Sequence, residues 1–334
     1  TPAIALVSIV DQDDNADGTI DLRETYTYDA DGNLILHDQD TKADGTVESR
    51  TTYTYDANGN LTLAESDNGD GIVYYRESRG YDANGNLILF ERDFNGDGTV
   101  NSKDTYTYDI NGSLTLWEHF SDGIDGSSSF RRSFSYDSNG NQTLIEDSNA
   151  DGIIDWRTIN IYGPNSKLIR TDGDTNADGI IDFRATYTYD SQDHLILIEQ
   201  DDQVDGTVNS LQRITYDANG NQISIEYDSD ANGTIDSRVR FAYDANGIQT
   251  LVEFDHNGDG TPGSRETDTY DINGNLTLLE RDDNGDGTLD LRDSLVYDAD
   301  GNQILQEEDV DADGTVDLRR TFTNSPINRW RVLF

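Results

Sequence analysis

Apolar and polar residues alternate along short segments of this chain, and a tight turn joins the segments in pairs. Thr25-Tyr26-Thr27-Tyr28 places two tyrosines on one face of an extended segment, and Leu34 and Leu36 share a face after the next turn. β-branched and aromatic residues of this kind favour a pleated sheet. Asn-Gly or Asp-Gly at the turn indicates a type I′ hairpin, which needs positive φ at both central residues. The pattern therefore predicts antiparallel hairpins.

A second, acidic segment separates the hairpins and recurs twelve times at a spacing of 26 to 28 residues. Its glycines are Gly18, Gly45, Gly71, Gly98, Gly126, Gly152, Gly179, Gly206, Gly233, Gly260, Gly287 and Gly314. A fixed period of this size is the signature of a repeat architecture, in which each unit packs mainly on its neighbours. We predict an all-β fold of twelve tandem antiparallel β-hairpin repeats of about 27 residues, with about 25 strands in a meander, spiral or solenoid-like sheet.

The whole chain, residues 1–334, is predicted to be a single repeat array. Residues 1–10 would form a leading edge strand, residues 11–318 the repeats, and residues 319–334 a degenerate terminal hairpin. Both ends are apolar, whereas sheets usually protect exposed edges with charge or proline. We therefore expect copies of the chain to join head to tail into a filament. The alternative is that each end is covered by folding back or by further domains.

The hairpin turn carries a specific motif, shown in full by Tyr55-Asp56-Ala57-Asn58-Gly59-Asn60-Leu61 and preceded by Arg-x-x-Tyr-x-Tyr. This motif closely resembles the YD repeats of the RHS and teneurin families, and the resemblance covers nearly the whole chain. It implies a tandem β-repeat protein of bacterial origin. It does not imply toxin encapsulation, because 334 residues are few for a shell and no toxin domain is visible.

The acidic segment has the composition of a calcium-binding loop. In Asp13 to Asp21, oxygen-bearing side chains stand at loop positions 1, 3, 5 and 9, and glycine stands at position 6. A hard cation such as Ca²⁺ takes six to eight oxygen ligands, so the chain must wrap around it. The predicted ligands are Asp13, Asn15, Asp17, Asp21, Asp93, Asn95, Asp97, Asp147, Asn149, Asp151, Asp155, Asp174, Asn176, Asp178, Asp182, Asp228, Asp230, Asn232, Asp236, Asp255, Asn257, Asp259, Asp282, Asn284, Asp286, Asp290, Asp309, Asp311, Asp313 and Asp317. We predict multiple Ca²⁺ sites, up to about twelve.

These loops resemble the loop of an EF-hand, but no amphipathic helix flanks them. Position 12, which carries a bidentate Glu in an EF-hand, is Glu in three copies, among them Glu24, and Asp in two. The pattern is closer to the D-x-D-x-D-G-x-x-D loops that join strands in integrin-type propellers. The simpler interpretation is that Asn, Asp and Gly merely form turns, since they tolerate left-handed backbone angles.

Some loops depart from the pattern and are expected to bind metal weakly. Ser66 stands at position 1 of the third loop, and Lys42 would place an ammonium group inside the second loop. The fifth loop loses ligands at Ser121 and Gly123. The tenth is weakened by Pro262 and Gly263 at positions 8 and 9.

Composition limits the partners of the chain. Its net charge is −44 and hydrophobic residues make up 34%, so self-repulsion is strong and a large apolar core is not expected. The acidity argues against nucleic acid and anionic membranes, and no apolar run is long enough to span a bilayer. Metal binding would remove repulsion, so its binding energy would largely be folding energy. Calcium is millimolar outside cells, which favours an extracellular or cell-surface location.

No enzyme is predicted. The four histidines, His37, His119, His194 and His256, fall at unrelated positions of the repeat, and the chain has no cysteine. We predict a calcium-stabilised extracellular repeat protein that serves as a scaffold or as a filament subunit, with itself as partner. The alternative is an adhesin or carbohydrate-binding module that binds surface glycans. A six-bladed propeller would show a 54-residue alternation, and none is present.

Overall fold

The computed structural model describes residues 6–121, 129–149 and 151–323. Within these ranges the chain forms 24 β-strands and a short 3-10 segment, Pro164–Ser166. The strands are β1 (Leu6–Asp13), β2 (Leu22–Tyr28), β3 (Leu34–Asp40), β4 (Ser49–Tyr55), β5 (Leu61–Asp67), β6 (Val73–Tyr81), β7 (Leu87–Asp93), β8 (Ser102–Tyr108), β9 (Leu114–Ser121), β10 (Phe130–Tyr136), β11 (Gln142–Asn149), β12 (Ile154–Tyr162), β13 (Leu168–Asp174), β14 (Phe183–Tyr189), β15 (Leu195–Asp201), β16 (Ser210–Tyr216), β17 (Gln222–Asp228), β18 (Ser237–Tyr243), β19 (Gln249–Asp255), β20 (Ser264–Tyr270), β21 (Leu276–Asp282), β22 (Leu291–Tyr297), β23 (Gln303–Asp309) and β24 (Leu318–Thr323). Consecutive strands pair antiparallel, which confirms the prediction of tandem hairpin repeats.

The sheet closes on itself, because β1 pairs with β2 on one side and with β24 on the other. Across this seam Arg319 lies opposite Asp13, in the same register that places Arg23 opposite Asp40 between β2 and β3. β1 therefore occupies the place of a return strand after β24. With neighbouring strands about 4.8 Å apart, the 24 strands give a ring of roughly 115 Å circumference, measured across the strands.

Closure corrects two predictions. The open meander, spiral or solenoid-like sheet is wrong, because the two ends of the array satisfy each other's hydrogen bonds. The free edge that was to recruit a second copy is also wrong for the described part of β1, since Leu6–Asp13 has partners on both sides. Residues 1–5 and 324–334, which include most of the predicted terminal hairpin, lie outside the described residues.

Antiparallel order places the acidic loops at one end of the ring, the loop rim, and the Tyr-Asp turns at the other, the turn rim. At the turn rim only the glycine of each Asn-Gly pair has positive φ, as at Gly59 (φ 82°). The predicted type I′ turn is therefore wrong. The carboxylate of Asp56 accepts hydrogen bonds from the backbone N–H groups of Asn58 and Asn60. These bonds hold a type I turn that is followed by a left-handed glycine, the usual three-residue hairpin connection.

The tyrosine of the turn motif ties neighbouring hairpins together. Tyr55 Oη donates to the backbone oxygen of Leu34 on the preceding hairpin, at 2.8 Å. The same bond is made by Tyr81, Tyr108, Tyr136, Tyr162, Tyr189, Tyr216 and Tyr243. The row includes Tyr162, whose turn motif is degenerate in sequence. These tyrosines thus form a structural ladder along the turn rim.

Each strand presents two faces of different chemistry. One, here the Arg face, carries Arg23 opposite Asp11, and the other, the Tyr face, carries Glu24, Tyr26 and Tyr28. Eleven of the twelve equivalent cross-strand positions on the Arg face hold an acid–base ion pair. Exposed pairs of this kind contribute at most about 1 kcal/mol each, but their regular opposition favours the observed register in eleven of the strand pairs that the acidic loops join.

The interior of the sheet contains little apolar material. Among the described residues only four apolar side chains are buried: Val10, Ala64, Ala185 and Ile214. Nine of the buried polar side chains are instead aspartates at the ends of strands, where the acidic loops begin. The predicted absence of a large apolar core is confirmed for this part of the chain, and the loop rim is where buried charge concentrates.

Candidate metal centre

Each regular acidic loop is held by hydrogen bonds to its own carboxylates. In the ninth loop Asp228 is fully buried, and its two oxygens accept from the backbone N–H groups of Asn232 and Gly233 at 3.0 and 2.9 Å. Asp236, at position 9, accepts from the N–H of Ser229 at 2.7 Å. The loop therefore closes around its first and last acidic side chains, and their remaining lone pairs stay available.

Two left-handed residues give the loop its sharp curvature. Position 4 has positive φ in Ala231 (53°) and in Val204 (53°), and position 6 is a glycine near φ 90°, as in Gly233 (89°). Only glycine adopts this region without strain, so the alanines and the valine are held there by the surrounding hydrogen bonds. The reversal of the backbone brings alternate side chains to one centre.

Three loops bring three carboxylates together, with ligand oxygens all within 4.8 Å of one another. The groups are Asp40, Asp44 and Glu48 in the second loop, Asp228, Asp230 and Asp236 in the ninth, and Asp309, Asp311 and Asp317 in the twelfth. Oxygens that share an ion at 2.3–2.6 Å lie no more than about 5 Å apart, so these groups have the dimensions of a divalent-cation site.

The second loop was expected to be poor because of Lys42, yet the structure gathers its acids. Lys42 does lie inside the loop, with its ammonium 3.3 Å from the carboxylate of Glu48. A metal ion at this site would have to displace that ion pair. The ninth and twelfth loops carry no such competitor within the described part of the chain, and they are the stronger candidates.

The other predicted loops follow the same hydrogen-bond scheme with fewer carboxylates at the centre. In the first, seventh and eleventh loops an asparagine takes position 3, so the donor set mixes carboxylate and amide oxygens. The first loop contains Asp13, Asn15, Asp17 and Asp21; the seventh contains Asp174, Asn176, Asp178 and Asp182; the eleventh contains Asp282, Asn284, Asp286 and Asp290. In the fourth loop, which contains Asp93, Asn95 and Asp97, the amide of Asn101 takes over position 9 and accepts from Phe94 N–H at 2.8 Å. The eighth loop uses Asn209 in the same way.

Two loops are one residue shorter than the loop pattern predicted. In the third loop Asp67 rather than Ser66 is the buried entry residue, and it accepts from Gly69 and Gly71 N–H. In the sixth loop Ser148 takes that place opposite Arg131. The predicted ligand Asp147 instead forms a bidentate ion pair with Arg132 on the Tyr face, so only Asn149, Asp151 and Asp155 remain at that loop.

The tenth loop supplies an independent observation that bears on metal binding. Asp255 is 2% exposed, and its Oδ1 has no hydrogen-bond partner among the described residues. Burying a carboxylate oxygen without a partner is costly, and such an atom fits a position that a cation satisfies. Its neighbours in the loop, Asn257 and Asp259, are also oxygen donors. The all-oxygen donor set therefore suits a hard divalent cation.

The acids at position 5 are held in the charged form that a metal requires. The backbone N–H of Thr19 donates to Asp17 and, with the threonine hydroxyl, lowers the pKa of that carboxyl. The pKa is lowered in the same way, by the threonine two residues on, for Asp44, Asp97, Asp259 and Asp286. A hydrogen bond to the ionised form is the cause in each case.

Two further sets of residues, which the loop pattern did not reveal, surround the metal loops. On the Arg face the buried entry aspartate of a loop lies opposite a basic residue: Arg238 bridges Glu226 at 2.8 Å and Asp255 at 3.8 Å. Position 12 is turned away from the loop onto the Tyr face, where Glu24 accepts from Gln39 at 2.8 Å and contacts His37. The loop therefore differs from an EF-hand loop in its structure, because the residue at position 12 belongs to the following strand and does not face the loop.

Comparison with known proteins supports the repeat type. The family model named RHS Repeat matches residues 28–73, which confirms YD-type repeats in that part of the chain. No curated protein matches the sequence. No helix in the described part of the chain is long and apolar enough to cross a membrane.

Among solved structures, the chain is similar to parts of much larger proteins. The crystal structure of TcdB2-TccC3 without the hypervariable C-terminal region is 18% identical with a TM-score of 0.49, over 90% of this chain and 15% of that chain. The crystal structure of TcdB2-TccC3 is 15% identical with a TM-score of 0.43, over 88% of this chain and 17% of that chain. The chain thus spans about one sixth of the length of these proteins.

Proposed function

We propose that this chain is a calcium-stabilised structural repeat protein that serves as an extracellular or cell-surface scaffold in bacteria and has no enzymatic activity. The observation that carries the proposal is the row of buried entry aspartates along the loop rim, in a sheet with almost no buried apolar side chains. Each of these aspartates accepts backbone hydrogen bonds within its own loop, but those bonds leave its negative charge in place, and a buried charge is stabilised further by an opposite charge or a metal ion. Metal binding at the rim would therefore contribute directly to the stability of the ring.

Charge supports the same proposal. The chain carries a net charge of −44, and the antiparallel order brings the acids of the described loops to one end of the ring. Twelve divalent ions would reduce the net charge to about −20 and relieve repulsion where it is greatest. Calcium matches an all-oxygen donor set better than softer metals, and loops of this kind fill at the millimolar calcium of the extracellular space.

A scaffold is favoured over a filament built from open edges, because β1 is already paired with β24. Head-to-tail assembly stays a prediction in a changed form: β1 of one copy would have to leave its own β24 and pair with that of another, which is strand exchange. Recognition of surface glycans, the alternative function, also stays a prediction.

The decisive experiment measures thermal unfolding by circular dichroism after chelation and after addition of 2 mM (about physiological extracellular level) Ca²⁺ or Mg²⁺. Each loop filled at a hundred times its Kd should add about 2.7 kcal/mol to the free energy of unfolding. We expect a large increase in Tm with Ca²⁺ and a small one with Mg²⁺, which demands stricter octahedral geometry.

Matched variants locate the effect in the loops. Asp228→Asn and Asp309→Asn each remove one entry carboxylate from a three-acid group, whereas Asp31→Asn removes the same charge from an exposed turn tip at the opposite rim. The two loop variants should lose part of the calcium-induced increase in Tm, and the turn variant should keep it. An unchanged Tm in the presence of Ca²⁺, together with no saturable calcium binding by calorimetry, would contradict the proposal.

A further inference from the structure

In a ring of near-identical repeats, a specific binding site must lie where the repeats differ. The largest departure on the Tyr face spans β7 to β10. At positions where other repeats carry small or aliphatic residues such as Ala64, Ile145 and Val252, this region carries Phe90 and Trp117. We call this region the aromatic patch. It consists of Phe90, Arg92, Asp104, Tyr106, Trp117, His119, Phe130 and Arg132.

The aromatic patch is a shallow depression that is widely open to solvent and is lined by flat side chains. Its volume of about 660 Å³ leaves room for a small organic molecule that keeps one side in solvent. Trp117 and Phe130 meet edge to face with ring centroids 5.2 Å apart. The guanidinium of Arg92 lies over the ring of Phe90 at 4.8 Å, and that of Arg132 lies over Phe130 at 5.5 Å. Stacking of this kind holds the cationic groups in fixed planes beside the aromatic surface.

The polar groups of the patch are centred on one buried acid. The side chain of Asp104 is 5% exposed and accepts from Arg92 Nη2 at 2.7 Å and from Trp117 Nε1 at 2.9 Å. The ring nitrogen His119 Nδ1 lies 2.9 Å from the same carboxylate. With three partners on its two oxygens, Asp104 has little capacity left to accept a hydrogen bond from a ligand.

Donors, in contrast, are in surplus. Arg92 donates only through Nη2, to Asp104, among the described residues; its Nε also lacks a partner there but is buried out of reach of a ligand, so Nη1 is the donor it offers. Arg132 uses only Nε and Nη2 in its ion pair with Asp147, and His119 uses only one ring nitrogen. The Arg92, His119 and Arg132 side chains are each about one-third exposed, at 29%, 29% and 36%, so they are accessible from the pocket. A ligand that fits must therefore bring acceptors.

We propose that the aromatic patch binds a small organic carboxylate that carries a flat or ring-shaped apolar face. The carboxylate would accept from the guanidinium groups of Arg92 or Arg132, for which planar two-point pairing is the preferred geometry. The ring would lie against Trp117 and Phe130. Both the uronic acid residues of acidic glycans and free aromatic acids have this chemistry. A cationic ligand is disfavoured because the one carboxylate at the centre of the patch is already paired.

The experiment is calorimetric titration of the whole chain with phenylacetate, indole-3-acetate and a galacturonate trisaccharide, each against its neutral counterpart: phenylacetamide, indole-3-acetamide and a galactose trisaccharide. We expect at least one carboxylate to bind at least tenfold more tightly than its neutral counterpart. Preference for the trisaccharide would identify a glycan as the source, and preference for the aromatic acids a free metabolite. Equal binding of charged and neutral members, or no saturable binding of any carboxylate, would overturn the proposal.

Variants test the location. Arg92→Gln and Trp117→Leu should weaken binding at least tenfold. Arg76→Gln, on the Arg face of the adjoining β6, should leave it unchanged. If the patch variants do not fold, photo-crosslinking of the wild-type chain with a diazirine derivative of the bound acid decides the point. Labelling within residues 87–93, 102–108, 114–121 or 130–136 supports the site, and labelling confined to other segments overturns it.

Discussion

Closure of the ring can be tested by a disulfide across the seam, because the chain contains no cysteine of its own. Val10 on β1 lies directly opposite Phe322 on β24. Directly opposed residues have Cα atoms about 4.5–5.5 Å apart, and a disulfide spans about 4.4–6.8 Å. Val10→Cys with Phe322→Cys should therefore form an intramolecular bond in the folded chain.

The expected gain follows from the length of the loop that the bond closes. In the chain-entropy model a loop of about 310 residues corresponds to ~5.7 kcal/mol of lost unfolded-state entropy. Tyr26 and His37 occupy the equivalent register on β2 and β3, and they are joined by a single turn. A disulfide between cysteines at those two positions closes only about 12 residues and should contribute ~2.8 kcal/mol.

The assay compares the two double variants after mild oxidation, on non-reducing gels and in thermal melts with and without reductant. Both should oxidise within one chain, and the seam disulfide should raise Tm more than the turn-spanning control does. A seam variant that stays reduced while the control oxidises would show that the ring is open in solution. A ladder of covalent multimers would instead show strand exchange between copies.

Four substitutions probe local stability. Hydrogen bonding to His37 is the main cause that lowers the pKa of Glu24 to about 2, so its carboxylate should stabilise the fold above pH ~4.5 and lose that contribution as the pH falls toward 2. In urea melts at pH 7 and pH 3, Glu24→Gln should remove roughly 1–2 kcal/mol of the pH dependence of the free energy of unfolding, after discounting for solvent screening. An unaltered pH profile would contradict this. Val204→Gly should raise the free energy of unfolding by about 0.5–1 kcal/mol, because a β-branched residue is strained at φ 53°. Ala231→Gly, at the same position of another loop, should raise it by less, and equal increases for the two variants would refute the strain argument. Tyr55→Phe should cost about 1 kcal/mol in thermal melts by removing its 2.8 Å bond to a backbone oxygen of the neighbouring hairpin, and a Tm equal to wild type would mean that the ladder is not stabilising.

Periodicity in the sequence was enough to predict the strands, the hairpins and the position of the acidic loops. These features are local, since alternation and turn residues act within about ten residues. The turn type was not predicted correctly, because the side chain of Asp56 captures two backbone N–H groups and outweighs the preference of Asn-Gly. The signal was present in the fixed spacing of that aspartate from the turn glycine.

Closure of the ring and the exact loop boundaries were not predicted from the local pattern, because they depend on residues and repeats that lie far apart along the chain. β1 and β24 are about 310 residues apart, and they meet only because small rotations between strands add up to a full turn. The matching residues were nonetheless visible, since Arg319 stands in its repeat where Arg23 stands in the first. For the third and sixth loops, the 26-residue spacing itself indicated a deleted residue, which places Asp67 and Ser148 at the loop entry.

β1 pairs with β24 in the same register that β2 and β3 adopt inside the array. This closure limits how the protein can gain or lose repeats. An open array can gain or lose a unit at either end without effect on the rest. In a closed ring of 24 strands the mean rotation between neighbours is about 15°. An added repeat would reduce this to about 14° at every strand pair, so the curvature of the entire molecule would have to adjust at once. Duplication of one repeat would therefore change the geometry of the whole ring rather than that of one end.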